Sequence, residues 1–144
     1  MCKGILLSVS ALVLLSGCVA ANRVAPIDAL RHGVMEDVNR YSNTFEDFMK
    51  SGKSDAEGLA AAKAQVASSL KDQDSAKFRN VVIRPYGYGR VVCGEVNAKN
   101  SYGGYVGFTR FVASNEESAI EDNSSQYQAI NEASNAGLYA ACGR

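Results

Sequence analysis

Tryptophan is absent from the 144-residue chain, histidine occurs once and proline twice. One histidine, His32, gives a catalytic dyad or a zinc site almost nothing to draw on. Two prolines against 13 glycines argue for a folded chain with turns and against a proline-rich disordered one. Charge of one sign is also missing, because 15 Lys+Arg balance 15 Asp+Glu. That balance removes the global attraction on which nucleic-acid binding rests. No apolar run approaches the roughly 20 residues that a membrane-spanning helix requires. No Cys-x-x-Cys redox spacing and no Gly-x-Ser-x-Gly elbow occurs. No cofactor motif is visible either.

What is present begins with the first 21 residues. A short basic start at Lys3 precedes an apolar stretch from Ile5 to Leu15, followed by small residues. That order is the plan of a secretory signal. Leu15-Ser16-Gly17-Cys18 resembles the bacterial lipobox, in which a signal peptidase cuts before the cysteine and the cysteine is acylated. The resemblance implies a signal peptide over residues 1–17 and lipid of the palmitate kind on Cys18. A tether follows over residues 18–26, and one domain over 27–144. One acyl chain anchors only marginally, at about 0.8 kcal/mol per buried methylene, whereas several make attachment effectively permanent. Val19 stands where an inner-membrane retention signal would have aspartate, so the expected address is the outer membrane, facing the periplasm. Without Lys3 the chain has one more acid than base.

Cys2 leaves with the signal and Cys18 takes the lipid, so Cys93 and Cys142 remain as an even pair in an oxidising compartment. They are expected to bond. Such a link would be worth roughly 4 kcal/mol by chain entropy.

Downstream, Ile27, Leu30, Val34, Val38, Tyr41, Phe45 and Phe48 recur at steps of three and four, which predicts an amphipathic helix. Gly33 weakens it, and Ser42-Asn43-Thr44 is a place where it is expected to break. Ser54-Asp55-Ala56-Glu57 fits a capping box opening a second helix to about Leu70, with Leu59, Ala62, Val66 and Leu70 as its apolar face. Three β-rich stretches follow: Phe78–Arg84, Gly89–Ala98 and Tyr105–Ala113. Arg84 to Gly87 is expected to turn the first into the second. Residues 114–126 read as a loop or an edge strand around Ile120, and the stretch from Tyr127 to Cys142 as one terminal helix. The fold expected is α+β. Two helices precede a small antiparallel sheet of three or four strands, and a C-terminal helix is stapled back by the disulfide.

The densest polar patch runs from Glu95 to Tyr105. Glu95, Asn97 and Lys99 share one face of a strand and its extension. Asn100 and Ser101 can close turns through their side chains, and Gly103 and Gly104 permit unusual backbone angles. A demanding turn with a Glu95–Lys99 pair accounts for the pattern. So does a recognition edge of Glu95, Asn97, Lys99, Asn100, Tyr102 and Tyr105, flanked by Tyr86 and Tyr88. Tyrosines give contact area at low entropy cost. Val92-Cys93-Gly94 through Tyr105-Val106-Gly107-Phe108, with Asp74 to Arg79 before it, resembles a stretch of small exported bacterial lipoproteins. Some of these are carried by phages and prophages, and none has an established activity. The resemblance implies a fold and no catalytic residue. Glu95 lacks a sequence-evident carboxylate partner for glycoside chemistry. Three readings follow. The first is a non-enzymatic envelope lipoprotein that binds an envelope protein or glycan, the membrane itself being reached through Cys18. The second is a phage-type surface lipoprotein that blocks a receptor or lytic enzyme. The third is a cell-wall glycan hydrolase using Glu95.

Overall fold

The computed structural model describes residues 26–144. The expected signal segment and Cys18 lie outside them. Among the described residues, helix α1 (Pro26–Lys50) and helix α2 (Asp55–Ser68) come first, then a 3₁₀ turn over Gln73–Ser75. Strands β1 (Lys77–Tyr86), β2 (Gly89–Asn97), β3 (Thr109–Ala113) and β4 (Ser118–Ile120) form one antiparallel sheet in sequential order. Helices α3 (Gln128–Ser134) and α4 (Ala136–Cys142) close the chain. The class is α+β.

Helix α1 has 25 residues and a length of about 37 Å. It does not break at Ser42-Asn43-Thr44. Ser42 is buried on its inner side, and its hydroxyl donates to the Tyr86 carbonyl. A serine that would otherwise compete with the helix backbone thus has a partner in the sheet. Val38, Tyr41, Phe45 and Met49 are buried, whereas Leu30 is exposed, so the apolar stripe runs past the body of the protein at its N-terminal end.

Helix α2 starts where its capping box places it. The Ser54 hydroxyl accepts from the Glu57 backbone N–H at 3.3 Å, and the Glu57 carboxylate accepts from the Ser54 N–H at 2.9 Å. Gly58 in its first turn leaves room for Phe45 and Met49 of α1.

Both faces of the sheet are covered, which explains why β2 reads as apolar at consecutive positions. On one face Val92, Val96, Phe111 and Ala113 pack with Phe45 and Met49 of α1 and with Ala62 and Val66 of α2. On the other face Val91, Cys93 and Val112 pack with Val38 and Tyr41 of α1 and with Leu138 and Ala141 of α4. Helix α1 serves both cores because it crosses one end of the sheet. Arg40 donates to the Glu117 carboxylate between β3 and β4 at 2.9–3.1 Å, and Arg90 at the start of β2 donates to Glu46 at 2.7 Å. The Gly89 backbone lies so close to the Ser42 carbonyl that a Cβ there would stand 2.5 Å from it.

The strands differ from the expected ones in three places. First, β1 extends to Tyr86 through Pro85, which an edge strand tolerates because its N–H side has no ladder to serve. The turn is therefore only Gly87-Tyr88, with Gly87 at φ 58°. Second, the register of β1 shifts between Arg79 and Val82, where Asn80 sits at φ 54°. Third, β3 begins at Thr109 and not at Tyr105. Gly107 at φ 107° turns the chain off the ladder, and its N–H donates to the Asn97 side chain at 3.2 Å.

The terminal helix is two helices. Asn135 is buried, adopts φ −98° and ψ 5°, and breaks the run. Its amide donates to the carbonyls of Asp122 and Asn131 at 2.8 and 2.9 Å, and its oxygen accepts from the Asp122 N–H at 2.9 Å. These bonds hold the segment after β4 against the break. Cys142 bonds to Cys93 across 49 residues, with the Cα atoms 5.6 Å apart. The link fixes the end of α4 to the middle of β2.

Candidate recognition loop

The β2–β3 connection, residues 98–108, leaves the end of the sheet opposite α1. An isolated bridge pairs Lys99 with Tyr105. Within it, the Asn100 N–H donates to the Gly104 carbonyl at 2.9 Å and the Gly103 N–H to the Asn100 carbonyl at 3.0 Å. The Asn100 side-chain oxygen accepts from the N–H groups of Tyr102 and Gly104 at 2.9 and 3.1 Å. Gly103 sits at φ 80°, a conformation that side chains strain to adopt. Four short bonds on one asparagine make this a defined turn.

Its base is held from outside. Ser75, at the end of the 3₁₀ turn, accepts the Lys99 N–H on its hydroxyl at 2.9 Å, and its carbonyl accepts the Tyr105 hydroxyl at 3.2 Å. Lys77 lies 4.4 Å from the Tyr105 ring centre, and the Arg79 guanidinium lies 4.0 Å from that of Phe108. Each such contact is worth about 0.5–1 kcal/mol at an exposed site. The cations of β1 thereby cover the loop's aromatic faces on one side. Tyr102 has no such cover. It is 96% exposed at the tip, and Val106 in the same loop is 71% exposed.

The structure brings Asn97, Lys99, Asn100, Tyr102 and Tyr105 together in this loop. It does not bring Glu95 to it. The expected Glu95–Lys99 pair is absent; Glu95 instead accepts from Nε and one Nη of Arg79 at 2.9 Å and from the Asn80 amide at 2.8 Å. Register explains the change, because Arg79 faces Glu95 across the ladder and the Asn80 bulge turns its amide inward. The Arg79 hydrogen bonds, and secondarily that of Asn80, hold the Glu95 carboxyl below the ordinary carboxylate range. A glycosidase acid needs the opposite shift. The open groove at Glu95 is lined by Asn80, Arg84, Arg110 and Arg144 among others, with no second Asp or Glu side chain. Tyr86 and Tyr88 do not flank the loop either, since they lie at the α1 end of the sheet. Asn97 and Asn100 spend their side chains on the loop's own backbone.

Ser75, Lys77 and Arg79 were not legible as parts of this site. Ser75 lies 24 residues from Lys99, and no local spacing joins them. Among the described residues no group of three His, Cys, Asp or Glu side chains could hold a metal ion, and no helix is long and apolar enough to cross a membrane. Comparison with protein-family models, curated proteins and solved structures finds no match to this chain.

Proposed function

We propose that this protein is a non-enzymatic lipoprotein, anchored through Cys18 in the outer membrane and facing the periplasm, that binds another envelope component through the 98–108 loop. The observation that carries the reading is the contrast within that loop. Its backbone is held by Asn100, Asn97 and Ser75, yet the Tyr102 side chain at its tip stands almost fully exposed. A pre-ordered loop loses little entropy on binding, and an exposed tyrosine supplies area at a low rotamer cost. The lipobox-like LSGC and the likeness to small exported lipoproteins support the anchor and the compartment. The reading of the chain as one domain over residues 27–144 belongs to the same proposal.

The same rigidity favours a second reading, a phage-type surface lipoprotein that blocks a receptor or lytic enzyme, since inhibitors commonly present a stiff loop to a cleft. The hydrolase reading is disfavoured by the charge state and surroundings of Glu95.

The test is a double variant, Lys99→Ala with Tyr102→Ala. Its melting curve should stay close to that of the parent protein, because neither side chain is buried and substitutions outside the core usually cost under about 0.5 kcal/mol. Its capture of envelope partners in crosslinked pull-downs should be lost. A folded double variant that recovers the same partners removes the loop as the binding site.

A further inference from the structure

Beside the recognition loop lies a cavity of about 160 Å³ that the reading above leaves unused. It is lined by Leu70, Val96, Ala98, Val106 and Ile120, and by the lysines Lys71 and Lys99. No carboxylate lines it. Among the described residues neither lysine takes part in an ion pair. This contrasts with the arginines at 40, 79, 90 and 110, each of which has a carboxylate within 3.1 Å.

We propose that this cavity receives one apolar side chain of a partner protein, and that an acidic residue next to that side chain meets Lys71 and Lys99. The proposal rests on the recognition-loop reading and names what that loop's partner must present. Size fits a single side chain, because about 160 Å³ matches a leucine- or phenylalanine-sized group. Charge decides for the acidic neighbour, because both charged residues of the lining are lysines without a carboxylate partner, Lys99 reaching only the Tyr105 ring at 5.9 Å, and they repel a basic group. Position decides for a protein partner. The cavity shares Ala98, Lys99, Asn100, Val106 and Gly107 with the loop, so an occupant also meets the exposed Val106. An apolar anchor in a pocket surrounded by aromatic and polar contacts is the usual centre of a protein interface.

The experiment uses the full lipidated chain in nanodiscs of zwitterionic lipid, isotope-labelled for resonance mapping. Three blocked peptides serve as probes: acetyl-Ser-Asp-Leu-Asp-Ser-amide, acetyl-Ser-Lys-Leu-Lys-Ser-amide and acetyl-Ser-Asp-Ser-Asp-Ser-amide. The first should shift Ala98, Val106, Gly107 and Ile120, and the other two should not. Lys71→Glu should weaken the first peptide at least about tenfold, since an opposed charge replaces a favourable one. The same variant should admit the lysine peptide. Val106→Asp should also exclude the first peptide, with an unchanged melting curve. Equal shifts by all three peptides, shifts elsewhere on the surface, or an unchanged affinity in Lys71→Glu overturns the proposal. If Tyr102→Ala loses envelope capture while no peptide reaches the cavity, the recognition loop stands and the cavity proposal falls.

Discussion

Replacing Gly137 by alanine sets two physical effects against each other, and the structure says which wins. Gly137 lies in α4, where alanine should be worth about 1 kcal/mol in helix propensity. A methyl group at that position, however, would run into the Val34 carbonyl of α1 and stand 2.7 Å from a Val38 methyl. The carbonyl belongs to a helix backbone and cannot rotate aside. Helix α4 cannot withdraw freely, because Cys142 at its end is bonded to Cys93. Overpacking of this kind costs about 1–3 kcal/mol, and two fixed backbones argue for the upper end. The net expectation is a loss of roughly 2 kcal/mol, or a fall in Tm of about 8 °C for a domain of this size. Gly33→Ala in α1 is the matched control. Nothing lies within 4 Å of its added methyl, so the propensity gain should appear unopposed. Thermal and urea unfolding of both variants in the same detergent would check the pair. If Gly137→Ala stabilises the protein as Gly33→Ala does, the close contact of α4 with α1 is wrong.

Other outcomes follow from single features. Mass spectrometry without reductant should show one Cys93–Cys142 link, and its removal should cost roughly 2–5 kcal/mol in urea unfolding, the usual cost of losing a native disulfide from a small domain. Cys18→Ser should leave the precursor uncut or release the protein from membranes, and labelled fatty acid incorporated into that variant would refute lipidation at Cys18. Acid should destabilise the fold through Glu121, Glu95 and Glu46. Each is held below its ordinary value of 4.5, chiefly by hydrogen bonds from Arg110, Arg79 and Arg90 respectively. A depressed folded pKa means that the unfolded chain binds more protons in that range. The stability these groups contribute is therefore full above about pH 4.5 and is lost as pH falls through the folded values. Glu121→Gln should flatten the fall in urea midpoint between pH 5 and pH 2, and an unchanged slope would count against the Arg110–Glu121 pair as a source of stability.

Much of the fold is legible locally. The capping box at Ser54 and Glu57, the α2 face of Ala62 and Val66, and the pairing of Cys93 with Cys142 need no knowledge of distant contacts. What misleads the reading is tertiary satisfaction of a local signal. Ser42 looks like a helix breaker until Tyr86 offers a carbonyl, and Pro85 looks like a turn until β1 proves to be an edge. Asn135 gives no warning of its role, because the partner that it holds beyond its own helix lies 13 residues back at Asp122. The loop is half legible in the same sense. Asn100 and Gly103 announce a turn, but the choice of Arg79 over Lys99 for Glu95 follows from strand register, which depends on the Asn80 bulge.

The disulfide has a consequence for cleavage. Residues 93–142 form a covalent ring, and the whole 98–108 loop, with the exposed Tyr102, lies on that ring. Protruding loop tips are where proteases cut first. A single cut at Tyr102 opens the ring but severs nothing, because the two pieces stay joined through sulfur. The nicked protein keeps both halves of its sheet and runs as one species until a reductant is added. The loop can thus be offered to hostile surroundings without making the first cut a fatal one.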